Sequence, residues 1–307
     1  MRRKLFYLAA PALFAVAIAA APKEPAEQQL FVARPLTAED SGFTEGIEGP
    51  GCDADGNVYA VSFGNRQTIG KVTPDGKASA YVELPNKGFG NGIVFDHKGL
   101  MYVADYITHS VLRVDPATKK IEVFAHEASM YQPNDLAIGP DDTIYASDPD
   151  WSGKHKGRIW KVDRAGKITR VAADLGTVNG IDVSPDGKTL FINETAQQTV
   201  SSFPIHKDGT LGPQRELIKF AEHGTDGMRS DVDGNLYVTR HGHGTVVKLS
   251  PQGKVIREID VLGAQPSNIC FGGPDGRTAY VTEVTRKRLV QFRVDRPGLA
   301  WQRWHEH

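Results

Sequence analysis

The sequence predicts an all-β fold, a six-bladed β-propeller. Three observations carry that expectation. A nine-residue plan recurs six times, its leading residues Glu48, Asn91, Asn134, Asn179, Asp226 and Asn268 spaced 43, 43, 45, 47 and 42 residues apart. Each leading residue stands eight positions before a turn residue, which is Gly56, Gly99, Gly187, Gly234 or Gly276 in five cases and Asp142 in the sixth. No segment of ten or more residues beyond the N-terminus shows a convincing 3.6-residue period, which argues against a TIM barrel or a doubly wound fold. Periods of this length with β-rich runs are the mark of propellers.

Each unit reads as four strands. The first runs from the leading residue to the turn, where Gly accepts the positive φ of a tight hairpin. The second is short and apolar, as in Leu236-Tyr-Val-Thr, and carries an aromatic: Tyr59, Tyr102, Tyr145, Phe191, Tyr237 or Tyr280. The third alternates, as in Val111-Leu-Arg-Val. A second turn and a fourth strand, such as Ile121-Glu-Val-Phe, complete the unit. One blade cannot bury both faces, so the ring must close on itself. The segment Leu30–Arg34, the tail around Leu299–Trp301, or both are candidates for closure.

The N-terminus is set apart. Met1-Arg-Arg-Lys4 is basic, Leu5–Ala21 is apolar, and small residues precede Pro22-Lys-Glu. This is the pattern of a secretory signal peptide over residues 1–19, cut near 19–21, with an uncleaved anchor as the alternative. The remaining expectation is a single propeller domain over 28–307. The 307-residue chain carries a net charge of −1; loss of the leader leaves 33 basic against 37 acidic residues, or −4. No basic field for nucleic acid is present. The reading is an exported protein, periplasmic or secreted. It is a monomer with a small-molecule partner, without stable membrane insertion after processing.

Equivalent positions in a ring of repeats face one another across the axis. The six leading residues are two carboxylates and four amides, all bearing oxygen. Hard cations such as Ca²⁺ take six to eight oxygens. No His or Cys stands at these positions, which disfavours an ordinary zinc site. Glu48 and Asp226 supply two negative charges, the match for one divalent cation. The plain alternative is that such side chains only cap strand ends.

The segments Gln132-Pro-Asn-Asp-Leu-Ala, Val178-Asn-Gly-Ile-Asp-Val-Ser-Pro-Asp-Gly-Lys, Asp226-Gly-Met-Arg-Ser-Asp-Val-Asp-Gly-Asn-Leu-Tyr-Val and Pro266-Ser-Asn-Ile-Cys-Phe-Gly-Gly-Pro-Asp-Gly-Arg-Thr resemble the senescence marker protein/gluconolactonase/luciferin-regenerating enzyme family over about residues 43–295. The resemblance implies a six-bladed propeller, one divalent cation (Ca²⁺ first, with Zn²⁺, Mn²⁺ or Mg²⁺ as alternatives) and hydrolysis of lactones or related esters. It implies metal ligands at Glu48, Asn134, Asn179 and Asp226, with Asn91 and Asn268 nearer the substrate or behind the ligands. Gly51-Cys52 departs from the family pattern, an apolar residue and Trp.

On this reading Asp226 is the catalytic base and Glu48 the second candidate, while the Asn amides hold the ion and donate to the developing oxyanion. Further contacts are expected from Asp148, Trp151, Arg240 and His241 on loops at the same face. Asp105, Asp148, Glu194 and Glu283 recur at one register at strand ends, which points first to turn capping and second to substrate contact. His241 and His243 form a tempting proton relay. Cys52 and Cys270 fall on the first and sixth blades, neighbours once the ring closes, and their pairing stays open. A non-catalytic sensing propeller with a structural Ca²⁺ is the alternative function; a lyase or synthase on a related scaffold fits the carboxylate pair less well.

Overall fold

The computed structural model describes residues 29–305, so the expected leader and the last two residues lie outside the described part. Six four-stranded antiparallel sheets account for nearly all of the regular structure. Five are continuous in sequence, beginning with Gly51–Cys52, Val58–Ala60, Thr68–Val72 and Ala78–Glu83 in the first blade. The blades are thus the expected ones, and each hairpin turn residue has positive φ. Asp142, at φ 58°, adopts the conformation that Gly takes in the other five turns.

The sixth blade draws on both ends of the chain. Pro266–Gly272, Thr278–Glu283 and Arg288–Arg293 are its inner three strands. Its outermost strand is Arg34–Pro35, with Arg34 opposite Gln291 and Pro35 opposite Val290. This strand closes the ring in hydrogen bonds. The tail contributes differently, as the helix Leu299–His305. Trp304 packs edge-on against Phe95 at 5.8 Å and donates its indole N–H to Asp96 O at 3.2 Å. Arg303 donates to Ile138 O. The helix thereby touches the second and third blades and caps one end of the axis. Above it lies a cavity of about 50 Å³, lined by inner-strand residues of all six blades.

Six apolar clusters occupy the six seams. Between the second and third blades, for example, Val94, Tyr102, Leu136, Ile144 and Trp160 interlock. At the seam between the sixth and first blades, Tyr280 and Leu289 meet Ile47 and Val58. Cys52 and Cys270 lie in this seam as buried free thiols, their Sγ atoms 2.6 Å apart. Among the described residues no helix is long and apolar enough to cross a membrane.

The inner strands come in two kinds. In the first, third and fifth blades they are short, Gly51–Cys52, Leu136–Ile138 and Met228–Ser230, and begin after the leading residue. In the other three the longer strands Gly90–Phe95, Val178–Val183 and Pro266–Gly272 contain it, each with a register shift around it. Either way the leading residue sits on irregular backbone. Bulges of this kind aim side chains where a regular pleat would not.

If the helix is a structural plug, Trp304→Ala should destabilise the fold by about 2–3 kcal/mol, at the low end for a large-to-small change because Trp304 is only half-buried. Equilibrium denaturation checks this, and unchanged stability would show that the tail merely rests on the ring.

Candidate metal and lactone site

The six leading residues converge at the end of the axis opposite the helix. Asn134 and Asn179 are buried, Asn268 fully so, while Glu48, Asn91 and Asp226 stay partly open. In four blades the residue after the leading one is Gly (Gly49, Gly92, Gly180 and Gly227), where the neighbouring blade packs too close for a side chain. A Cβ on Gly227 would lie 1.9 Å from Asn268 Cγ, and one on Gly49 1.8 Å from Asn91 O.

The carboxylates are held from the side. Asn179 donates Nδ2–H to Asp226 Oδ1 at 2.8 Å and to Thr195 Oγ1 at 3.0 Å. Asn268 donates Nδ2–H to Glu48 Oε1 at 3.4 Å, and its own carbonyl accepts from Ile269 N at 2.8 Å. Gly49 N donates to Glu48 Oε2 at 2.9 Å. The side-chain oxygens of Asn91, Asn134 and Asn179 are buried and accept no hydrogen bond. Unpaired buried carbonyls are costly. Three of them around two carboxylates form the oxygen-only donor set a hard divalent cation requires.

Charge along the axis points the same way. Arg229 clasps Asp135 with two hydrogen bonds of 2.9 Å and also donates to Ile181 O and Met228 O. Burial pulls against the charged Arg229, but Asp135 outweighs it and keeps the guanidinium protonated. Asp182, buried, accepts from Ser230 N at 2.6 Å and faces Arg229 and Arg303. Four carboxylates (Glu48, Asp226, Asp135 and Asp182) thus meet two guanidiniums, an excess of two negative charges. Without a cation, burial pushes Glu48 up to about 7. Burial first, and then the Glu48 charge, hold Asp226 well above the ordinary carboxylate range.

The expected ligands Glu48, Asn134, Asn179 and Asp226 are therefore brought together, and Asn91 joins them with an unpaired oxygen of its own. Asn268 stands behind Glu48. The loop residues fare differently. Asp148 is completely buried and accepts from Tyr131 N (2.8 Å), Gln132 N (2.7 Å) and Trp160 Nε1 (2.8 Å). Asp105, Glu194 and Glu283 make equivalent bonds to loop N–H groups. Arg240 occupies the same register with opposite polarity. Its guanidinium lies 3.6 Å from the Phe220 ring centre and donates Nη2–H to Glu222 O at 2.5 Å. The substrate contacts expected of Asp148 and Arg240 are corrected accordingly: both groups are spent holding loops. Trp151 remains exposed on the rim. His241 is half-buried, and burial lowers its pKa. His243 does not form a relay with it, because it turns to Glu258 and His223 on the outer side of the fifth blade.

Two sets of residues escaped sequence reasoning. One position before the loop-holding register, Ser147, Asn193, Thr239 and Thr282 stitch the leading segments together. Thr239 Oγ1 donates to Gly227 O and Ser267 O, both at 2.9 Å, and Asn193 Nδ2 to Asp226 O. Their common spacing was available as a signal. The Asp135–Arg229 pair lies within the very motifs that carry the resemblance, but its partners are 94 residues apart.

Residues 87–285, more than half of the chain, match the SMP-30/Gluconolactonase/LRE-like region. The chain belongs to this family. It is similar to gluconolactonase of Zymomonas mobilis, 25% identical over 284 residues, covering 80% of this chain and 79% of that protein. It is 29% identical to 6-deoxy-6-sulfogluconolactonase of Pseudomonas putida over 147 residues, which are 47% of this chain and half the length of that relative. Among solved structures it superimposes on the calcium-binding protein regucalcin of Agrobacterium tumefaciens with a TM-score of 0.75 at 22% identity, covering 87% of this chain and 95% of that one. At this identity the likeness speaks for the fold alone.

Two outcomes follow for the SMP-30-like site. Glu48 and Asp226 have raised folded-state pKa values when no cation is present. Their ionisation then costs stability as pH climbs from the unfolded carboxylate values, about 3.9 to 4.3, towards 7. Chelator-treated protein should melt progressively lower across that window, and saturating Ca²⁺ should flatten the profile. Parallel profiles with and without Ca²⁺ would count against cation binding there. Arg229→Ala strands Asp135 as a buried unpaired charge and should cost about 3–5 kcal/mol in denaturant unfolding.

Proposed function

We propose that this chain is an exported, divalent-cation-dependent lactonase acting on a small, sugar-like lactone. The observation that carries the reading is the set of three unpaired asparagine oxygens around Glu48 and Asp226. The names of the gluconolactonase relatives support the substrate class. Ca²⁺ suits the all-oxygen set best.

A cation held by Glu48, Asp226 and the asparagine oxygens supplies Lewis-acid polarisation of the lactone carbonyl. The chain's own residues do the rest. Asp226, fixed through Oδ1 by Asn179, takes a proton from the attacking water, as a positioned general base does. Glu48, steadied by Asn268 and Gly49, supplies the second negative charge. The amide N–H groups of Asn179 and Asn268 are already engaged with carboxylates. Donation to the oxygen that gains charge therefore falls to Asn91 and Asn134. Ring opening returns the proton from Asp226 to the leaving alkoxide, giving a hydroxy acid.

Stripped protein assayed on a panel of γ- and δ-lactones, with Ca²⁺, Mn²⁺ or Zn²⁺ restored, tests the proposal. Absence of turnover with every metal would favour a sensing propeller that keeps its ion as a structural plug. Asp226→Asn should preserve the circular dichroism spectrum and lower kcat by about 10²-fold or more. A parental rate in that variant would move the base elsewhere.

A further inference from the structure

The outer side of the fifth blade carries a cluster that the axial chemistry does not use. Glu222, His223 and His243 each offer one ligand atom, and these atoms all lie within 4.8 Å of one another. Glu258, on the outermost strand Val255–Asp260, brings Oε1 to 3.3 Å from His243 Nε2. The two imidazole rings stand 5.1 Å apart.

The cluster is built by the chain around it. Arg240 stacks on Phe220 and binds Glu222 O, which pins the segment 220–222 beside the fifth blade. His223 follows in the left-handed conformation, φ 56°. Gly242, at φ 87°, leaves the space His223 needs: a Cβ there would lie 3.1 Å from His223 Nδ1. Two imidazoles and the Glu222 carboxylate therefore share one small, water-accessible volume, and Glu258, from a third segment, approaches it through His243.

We propose that Glu222, His223, His243 and Glu258 form a second metal site, of the zinc type. The donor chemistry separates it from the axial site. Oxygen-only donors favour Ca²⁺, whereas a mixed imidazole and carboxylate set with four donors suits tetrahedral Zn²⁺ and, more broadly, the later first-row divalent ions. An ion here clips the connection between the fourth and fifth blades to the turn that carries His241 at the mouth. The site stands independently of the lactonase reading.

The test is calorimetric titration of Ca²⁺-saturated protein with ZnCl₂, comparing the parent with His223→Ala, His243→Ala and, as a control on an exposed histidine elsewhere, His206→Ala. The parent and the control should bind one Zn²⁺ more per chain than the two cluster variants, or bind it at least 100-fold more tightly. Zn²⁺ should raise the Tm of the first pair only. Equal Zn²⁺ uptake by all four proteins, or none by the parent, would overturn the proposal. Any Zn²⁺ exchange at the axis is common to all four and cancels in the comparison.

A separate observation supports one more inference. The Sγ atoms of Cys52 and Cys270 meet in the seam between the first and sixth blades, 218 residues apart in sequence. The geometry points to a disulfide across this seam when the chain folds in the presence of a disulfide oxidant. Two S–H bonds break and one S–S bond forms; two protons and two electrons pass to the oxidant, which is reduced to its thiols. Both cysteines are buried in the closed ring, so the exchange belongs to folding. Protein refolded with oxidised and reduced glutathione, then denatured without reductant, should show no titratable thiols and a mass lower by two hydrogens. It should also resist denaturant better than Cys52→Ser. Two free thiols after such refolding would overturn the inference.

Discussion

Glu48 and Asp226 are like charges placed near one another at the end of an axis that six sheets have largely dried. That arrangement is the constraint on which the rest of the molecule turns. Two half-buried carboxylates this close cannot both ionise cheaply without compensation. Further along the axis the chain compensates within itself, setting Arg229 against Asp135 and Arg303 near Asp182. At the open end it does not. It supplies asparagine oxygens instead, three of them without hydrogen bonds. A protein that merely needed to fill a channel would have been served by apolar residues, which are no less stable than a buried ion pair.

Three successive rings of residues divide the work. The leading ring presents oxygens to the axis from bulged or unpaired backbone. A second ring, Ser147, Asn193, Thr239 and Thr282, bonds to the backbone of the third, fifth and sixth leading segments and holds them in place with buried hydrogen bonds. The third ring, Asp105, Asp148, Glu194, Arg240 and Glu283, fixes the loops that form the mouth. Preorganised oxygens of this kind need no rearrangement as charge develops, which is where electrostatic catalysis gains most.

The repeat made the fold and the first ring legible, because blade number, hairpin turns and axial convergence all follow from one spacing. Even Asp142 in a glycine's place could be read as a turn, since Asp tolerates the left-handed region. The third ring was visible as a register, and turn capping was the first reading of its carboxylates, though substrate contact stayed open beside it. A recurrent carboxylate can face a ligand or a row of loop N–H groups, and only the path of the loop decides. Arg240 shows the limit well: expected as a loop contact at the mouth, it does with a donor what its neighbours do with acceptors. The Asp135–Arg229 pair was illegible for a different reason. Its members meet only once the ring has closed across the axis, and no local spacing in the sequence relates them.

Ring closure also settles how ligands reach the axis. The strand Arg34–Pro35 seals the circumference, and the helix Leu299–His305 covers the lower end with Trp304 and Arg303. The cavity left above the helix is about 50 Å³, room for water and little more. On the proposed function, cation and substrate would share the upper mouth. On that reading, an ion on the half-buried Glu48 and Asp226 would lie beneath a lactone that reaches the exposed Trp151. The choice of substrate falls to the exposed loops, which can change without disturbing the charge balance beneath them.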